Sequence, residues 1–389
     1  MHQGTYVFSQ LMSLIHRQSF NRLVNKYKGN YRVRSFSCWH QFLCMSFGQL
    51  THRESLRDIV TCLNAHQEKL YHLGFTQGVK RSTLADANES RDYRIYEALA
   101  YKLIVKARKL YQHSPTEIDL DHIVYALDST TIELCLNVFW WARFRKHKAA
   151  VKLHTLLDVK CEIPCFIHIS DGKYHDVNVL NMLEFEPNAF YVMDRGYTDW
   201  KGLYKIHQSG AFFVIRAKKN LSCQRIYSRQ VDKSTGLRCD QTVRLKGHYA
   251  SKNYPAKLRR VKFYDAEHHV QYVYLTNHFE ADPMQIVILY LNRWKVEIFF
   301  KWIKQHLRIK RFWGETPNAV KTQIWIAVCT FVLVAILKKK LNSQHSLNEI
   351  LQILSVSALS KMPVNQLITN VNTKKPNTPN DNQLNIFDL

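Results

Sequence analysis

Fifteen consecutive residues, Tyr290 to Lys304 (YLNRWKVEIFFKWIK), constrain this chain more than any other stretch. They contain neither Gly nor Pro, and apolar residues recur often enough to bury a face, which predicts one continuous helix. At about 100° per residue, Tyr290, Arg293, Glu297 and Lys304 fall at roughly 0°, 300°, 340° and 320°, inside one narrow sector. A carboxylate that shares a helix face with cations is usually part of a solvated stripe. Here Trp294, Phe299, Phe300, Trp302 and Ile303 make the segment too apolar for a freely exposed helix. The other reading is chemical: the carboxylate holds a hard divalent cation, while Arg, Lys and Tyr grip the phosphates of a polyanion beside it.

The charge of the whole chain favours such a partner. A net +24 over 389 residues, with a pI near 9.6, points to nucleic acid or an acidic membrane surface rather than neutral small molecules. The longest apolar run, Ile324 to Leu337, is about 14 residues, short for a bilayer span and better suited to a buried helix. The first residues, MHQGTYVFSQLMSLIHRQ, lack the uninterrupted apolar core of a signal peptide. Nine scattered cysteines without paired spacing read as reduced thiols rather than a zinc site. The expectation is a cytoplasmic protein that uses no membrane.

Two further carboxylates share a pattern. His122 to Leu127 (HIVYAL) is a β-branched and aromatic run that leads into Asp128, and Ala189 to Met193 (AFYVM) leads into Asp194. Each predicts a buried strand that ends in an acid. Between them, Val151 to Val159 and Cys165 to Ser170 read as strands, with a turn at Asp171 and Gly172, and His175 to Phe185 has helical spacing. Trp200 to Gly210 then reads as a helix and Ala211 to Arg216 as a fifth strand. Three strands, a helix, a strand, a helix and a strand is the order of an RNase H-like α/β fold. There the first and fourth strands are neighbours, so Asp128 and Asp194 come together and Glu297 supplies a third acid.

The remaining segments are predicted as follows. Residues 1–80, with ten Lys or Arg against three acids, form a helical basic DNA-binding domain, and residues 81–120 a helical connector. Within the first, KYKGNYRVR (Lys26 to Arg34) is a basic loop, and Thr51 with Glu54 has the spacing of a capping box before a helix, a pattern like a helix-turn-helix. A helical cap on the main domain is the alternative. The catalytic domain occupies 121–216 and 279–345, interrupted by a basic β-rich insertion at 217–278 that is predicted as an antiparallel subdomain. From Arg216 to Tyr264 fourteen Lys or Arg face two acids, half of the net charge, which suits a grip on DNA backbone. His306 to Arg311 adds cations, Ser346 opens a helical region at 346–369, and the polar tail 370–389 is predicted to be disordered.

With these motifs together, the chain resembles the DDE transposases of bacterial insertion sequences, in the insertion-sequence-four branch marked by Y-x2-R-x3-E-x6-K. Tyr290, Arg293, Glu297 and Lys304 match every spacing. Leu127-Asp128-Ser129-Thr130, Val151-Lys152-Leu153-His154 and Met193-Asp194-Arg195-Gly196-Tyr197 match the other marks. The resemblance implies that Asp128, Asp194 and Glu297 are catalytic and bind two Mg2+ ions per site, which Mn2+ can replace. It implies DNA contacts from Tyr290, Arg293, Lys304, Lys301 and Arg195, with a tryptophan stacked on an extruded base. The implied activity is cut-and-paste transposition through a hairpin end, by a homodimer on double-stranded transposon ends and target DNA at the bacterial nucleoid. A nuclease without strand transfer, or a DNA-binding regulator that uses no chemistry, would share parts of this pattern.

Overall fold

The computed structural model describes residues 4–112, 122–145, 148–306 and 312–369. The cations at 307–311 and the tail at 370–389 lie outside the described residues.

The first third is helical: α1 (Val7–Met12), α2 (Arg17–Lys26), α3 (Cys38–Leu50), α4 (Leu56–Asn64), α5 (Gln67–Leu70), α6 (Arg81–Ser90) and α7 (Arg94–Tyr111). The capping box expected at Thr51 and Glu54 is displaced. Thr51 instead ends α3 and donates to the Phe47 carbonyl, while Ser55 caps α4 by accepting from the Asp58 N–H, and Asp58 in turn accepts from the Glu54 N–H. Every residue of α3 except Trp39 is buried, so this helix cannot enter a DNA groove. α4, the helix that follows it, keeps Arg57 and Thr61 exposed. The basic loop after α2 is exposed, with Lys26, Lys28, Arg32 and Arg34 all facing solvent.

The strands then follow: β1 (Val124–Leu134), β2 (Arg143–Arg145), β3 (Lys148–Asp158), β4 (Ile163–Asp171) and β5 (Phe190–Met193), with α8 (Trp200–Gln208) before β6 (Phe212–Arg216). β7 (Cys223–Arg229) and β8 (Leu237–Leu245) precede the short α9 (His248–Asn253), after which come β9 (Leu258–Asp265) and β10 (Val270–Thr276). All ten strands form one mixed sheet in the order β2-β3-β1-β5-β6-β10-β9-β8-β7, with β4 also on β3. The parallel pairs are β1 with β5 and β5 with β6. Along β1, Val124 and Ala126 enter one apolar core while Tyr125 and Leu127 enter another on the opposite face. Burial on both faces is why HIVYAL and AFYVM read as unbroken apolar runs.

Several expectations need correction. β1 does not stop at Asp128 but continues to Leu134, because β3 pairs with it throughout, from Tyr125↔Asp158 to Leu134↔Ala149. The segment from His175 to Phe185 is no α-helix: a short 3-10 turn, Asp176–Asn181, precedes irregular chain, and Val179, Leu180, Leu183 and Phe185 reach the core through turns rather than along one stripe. The basic insertion is not a separate subdomain either. β10 pairs with β6, so the β7–β10 meander extends the main sheet. Part of its charge is internal, since the buried Arg259 is paired with the buried Asp240 at 2.8 and 2.9 Å.

Five helices close the described chain: α10 (Pro283–Leu291), α11 (Trp294–His306), α12 (Pro317–Lys340), α13 (Leu347–Ser357) and α14 (Val364–Thr369). α12 is longer than its apolar run suggested and long enough to cross a membrane, but its apolar window is 94% buried inside the protein. From Ala319 to Leu337 only Lys321 escapes full burial, as expected of a helix that is apolar all round. α1, α3, α6, α7, α11 and α13 pack around it, joining the N-terminal helices to the sheet. Ser346 and Glu349 form the capping box that opens α13.

Candidate active site

The fifteen-residue stretch is two helices rather than one. Asn292 and Arg293 form a turn in which the Arg293, Lys295 and Val296 N–H groups bond to carbonyls three residues back, and the Asn292 amide donates to the Ile288 carbonyl. That side-chain bond competes with helix continuation and ends α10 without Gly or Pro. Tyr290 therefore belongs to α10 and leaves the sector predicted for it. It is 8% exposed, packs on Tyr274 with ring centroids 4.7 Å apart, and donates to Asp194 Oδ1 at 3.5 Å.

Sheet register brings the two aspartates together. Leu127 pairs with Met193 at the last rung of the parallel β1–β5 ladder, so Asp128 and Asp194 follow side by side on strands about 4.8 Å apart. Leu127 and Met193 face one core, and alternation turns the next residues to the opposite face, where α11 packs on β1. There Arg293 Nη1 meets Asp128 Oδ2 at 2.6 Å, and its Nη2 meets Glu297 Oε1 at 2.7 Å, one helical turn along. Asp128 Oδ1 accepts the Ser129 N–H at 2.8 Å.

The electrostatics follow from this geometry. Burial pushes the Asp128 carboxyl up to about 6; Arg293 and the Ser129 N–H pull against it, while Glu297 and Asp194 push the same way. Burial pulls the Arg293 guanidinium down, but Asp128, Tyr290 and Glu297 together hold it above its ordinary value. Arg293 thus stands where a cation is needed among three acids. It also divides them between adjoining clefts. Asp128, Glu297, Lys301 and Lys304 line one, and Asp194, Arg195, Arg216, Tyr290 and Trp294 line the other together with Arg293. Among the described residues no three His, Cys, Asp or Glu side chains are disposed to hold a metal ion, so the expected Asp128, Asp194 and Glu297 ligand set is not assembled in this conformation.

The other expected contacts are distributed unevenly. Arg195 and Lys301 are exposed at the cleft mouths, whereas Lys304 donates to the Thr131 carbonyl at 2.8 Å. Trp294 is 60% exposed beside Arg293, while Trp302 is buried in the core. Arg216 enters from β6 and lies over Tyr272, a partner that sequence reading missed because it reads as an ordinary strand end. Asp176 was missed as well: it bonds the Ser129 hydroxyl from a segment whose helical spacing gave no sign of that contact.

The site is thus a pair of adjoining clefts with acids and cations at the end of a parallel strand pair, on a basic mixed α/β scaffold. Residues 119–333 match the transposase DDE domain, and the chain belongs to that family. Residues 3–76 match a domain of unknown function, DUF4372. The chain is 32% identical over 214 residues to a putative transposase, y4zB, of Sinorhizobium fredii, across 54% of this chain and 59% of that one. It is 29% identical over 257 residues to a probable transposase for insertion sequence element IS5377 of Geobacillus stearothermophilus, across 65% and 66%. It therefore spans slightly less than two thirds of either relative. A cryo-EM structure of the piggyBac transposase synaptic complex with hairpin DNA aligns over 95% of this chain and 81% of that one, at 9% identity and a TM-score of 0.44.

Proposed function

We propose that the chain is a transposase that binds the terminal repeats of an insertion sequence and performs divalent-metal-dependent cleavage and strand transfer on double-stranded DNA. The observation that supports this is the sharing of Arg293 by Asp128 and Glu297, with Asp194 following beside Asp128 on the neighbouring parallel strand. Family membership and the excess of basic charge support it. An RNase H-like reading of the catalytic part agrees with the neighbouring β1 and β5.

The donor set suits Mg2+ or Mn2+, because carboxylate oxygens are hard ligands. Asp128, Asp194 and Glu297 would hold the metal, two ions in the family's manner. Metal bound there would lower the pKa of an attacking water or 3′ hydroxyl and shield the charge on the leaving oxygen. The protein's own groups do the rest. Ser129 orients Asp128 through its N–H, and Tyr290 orients Asp194. When Arg293 turns from the carboxylates to a scissile-strand phosphate, its charge passes from the acids to the substrate, as a bidentate donor suits. Lys301 and Arg195 at the cleft mouths steer backbone phosphates, and the exposed loop Lys26 to Arg34 with the outer strand β7 extends the basic track. The active assembly is a homodimer that brackets two ends, with processing through a hairpin.

The test is incubation of purified protein with labelled terminal repeats, a target plasmid and Mg2+. Joined ends are expected. Degradation without joining would identify a nuclease, and a mobility shift without cutting a regulator. Glu297→Gln should abolish cutting while DNA affinity stays within about twofold; retained cutting would remove Glu297 from the ligand set.

A further inference from the structure

Lys152 and His154 are marked by sequence, yet neither reaches the acid cluster. Strand alternation explains why. His154 pairs with Ser129 and Lys152 with Thr131 across the β1–β3 ladder, so these residues occupy the face of β1 opposite to Asp128. What they approach there is Asp176. Lys152 Nζ lies 3.2 Å from Asp176 Oδ1 and also donates to the Tyr174 carbonyl at 3.0 Å. His154, fully buried, places Nδ1 3.6 Å from Asp176 and bonds Ser170 Oγ through Nε2 at 2.9 Å. Asp176 in turn accepts the Ser129 hydroxyl at 2.7 Å, and the N–H of Ser129 is the one that Asp128 accepts. Tyr197, 2% exposed, is buried in the combined field of Asp128, Asp176 and Asp194.

We propose that Asp176 is a positioning residue for the catalytic site: held by the Lys152 ammonium, with the buried His154 ring packed beside it, it anchors the Ser129 side chain and so fixes the peptide N–H that orients Asp128. The inference rests on the reading of Asp128 as a metal ligand. It gives Lys152 and His154 a task that their distance from the acids otherwise leaves open. Because Asp176 sits behind the sheet, it orients a ligand without being one. A residue that only stiffened β1 would change unfolding but not the affinity of the acid cluster for a cation.

The experiment is a calorimetric titration of Mn2+ into the full-length protein bound to a terminal-repeat duplex, for wild type, Asp176→Asn, Ser129→Ala, the double variant and Asp128→Asn. Loss of an outer partner of a metal ligand weakens binding by roughly 10–100-fold, and the indirect link here puts Asp176→Asn near the lower figure. Ser129→Ala should match it, and the double variant should be no worse than either single within about twofold, since all three break one chain of contacts. Metal-free DNA affinity of Asp176→Asn and of Ser129→Ala serves as the folding control and is expected within about twofold of wild type. Unchanged Mn2+ affinity in Asp176→Asn and Ser129→Ala, or additive losses in the double variant, would overturn the proposal while Asp128→Asn still lost binding. If Asp128→Asn bound Mn2+ as wild type does, the ligand reading itself would fall and the positioning role with it.

Discussion

Arg293→Gln tests the central electrostatic claim. The guanidinium is 17% exposed and Asp128 19%, so their 2.6 Å pair is largely desolvated. Removing one partner of a buried ion pair costs about 3–5 kcal/mol, because the other charge is left uncompensated. The Glu297 pair contributes much less, since Glu297 is 51% exposed and water screens it. The metal-free variant should therefore lose about 3 kcal/mol of stability. A divalent ion that occupies the same place would restore it. Because the ion no longer displaces an arginine, Mn2+ should bind the DNA-free variant up to roughly a hundredfold more tightly than wild type, at 1.4 kcal/mol per tenfold. The titration is made at pH 8, where Asp128, with its pKa near 6, is ionised in the wild-type protein. Melting curves with and without Mn2+ check the stability half. DNA should raise wild-type Mn2+ affinity by drawing Arg293 onto phosphate, and that coupling should vanish in the variant. Equal Mn2+ affinities of variant and wild type without DNA would refute the idea that arginine and metal compete.

Two further outcomes concern stability. Burial lowers the His154 pKa to about 4, below its unfolded value of 6.5, so the unfolded chain takes up a proton that the folded one refuses. Stability should fall as pH drops from about 6.5 to 4, by up to roughly 3 kcal/mol, and His154→Gln should flatten that slope in urea melts. Asp128 acts oppositely between about 6 and 3.8, because its raised pKa lets the folded state keep a proton that the unfolded state has lost; the comparison is cleanest with Asp128→Asn present in both proteins. A slope unchanged by His154→Gln would exclude the buried neutral imidazole. Arg259→Ala should cost about 3 kcal/mol, the low end for a buried pair, because Asp240 would keep only the longer 3.4 Å contact with Arg229. A melting temperature within 1 °C of wild type, an allowance of about 0.8 kcal/mol for a chain this size, would refute that pairing.

Periodicity and spacing carried much of the architecture. The β-branched runs before Asp128 and Asp194, the alternation in VQYVYLT and the Ser346 cap are local signals, and the strands and helix they predict are present. Signals failed where neighbours decided. β7 (CQRIYSR) alternates weakly because it is an exposed edge held only by β8. Thr51 and Glu54 have capping-box spacing, but α3 runs on to Leu50 to fill the core, and Ser55 takes the cap. The stretch from Tyr290 to Lys304 satisfies every helical criterion, yet the Asn292 side chain and the burial of Tyr290 against Tyr274 break it.

The sequence by itself named Asp128, Asp194, Glu297 and Arg293 as candidates, though not Arg216 or Asp176, and it placed two of the acids after buried apolar runs, because strand alternation and residue chemistry act over a few positions. Only the tertiary structure decided who neutralises whom. Ladder register sets Asp128 beside Asp194, and the turn at Asn292 aims Arg293 at Asp128 and Glu297 while sending Tyr290 to Asp194. Strand pairing between β1 and β3 puts Asp176 behind the site. Those are contacts between residues far apart in the chain, and their energies depend on burial, which no local pattern encodes.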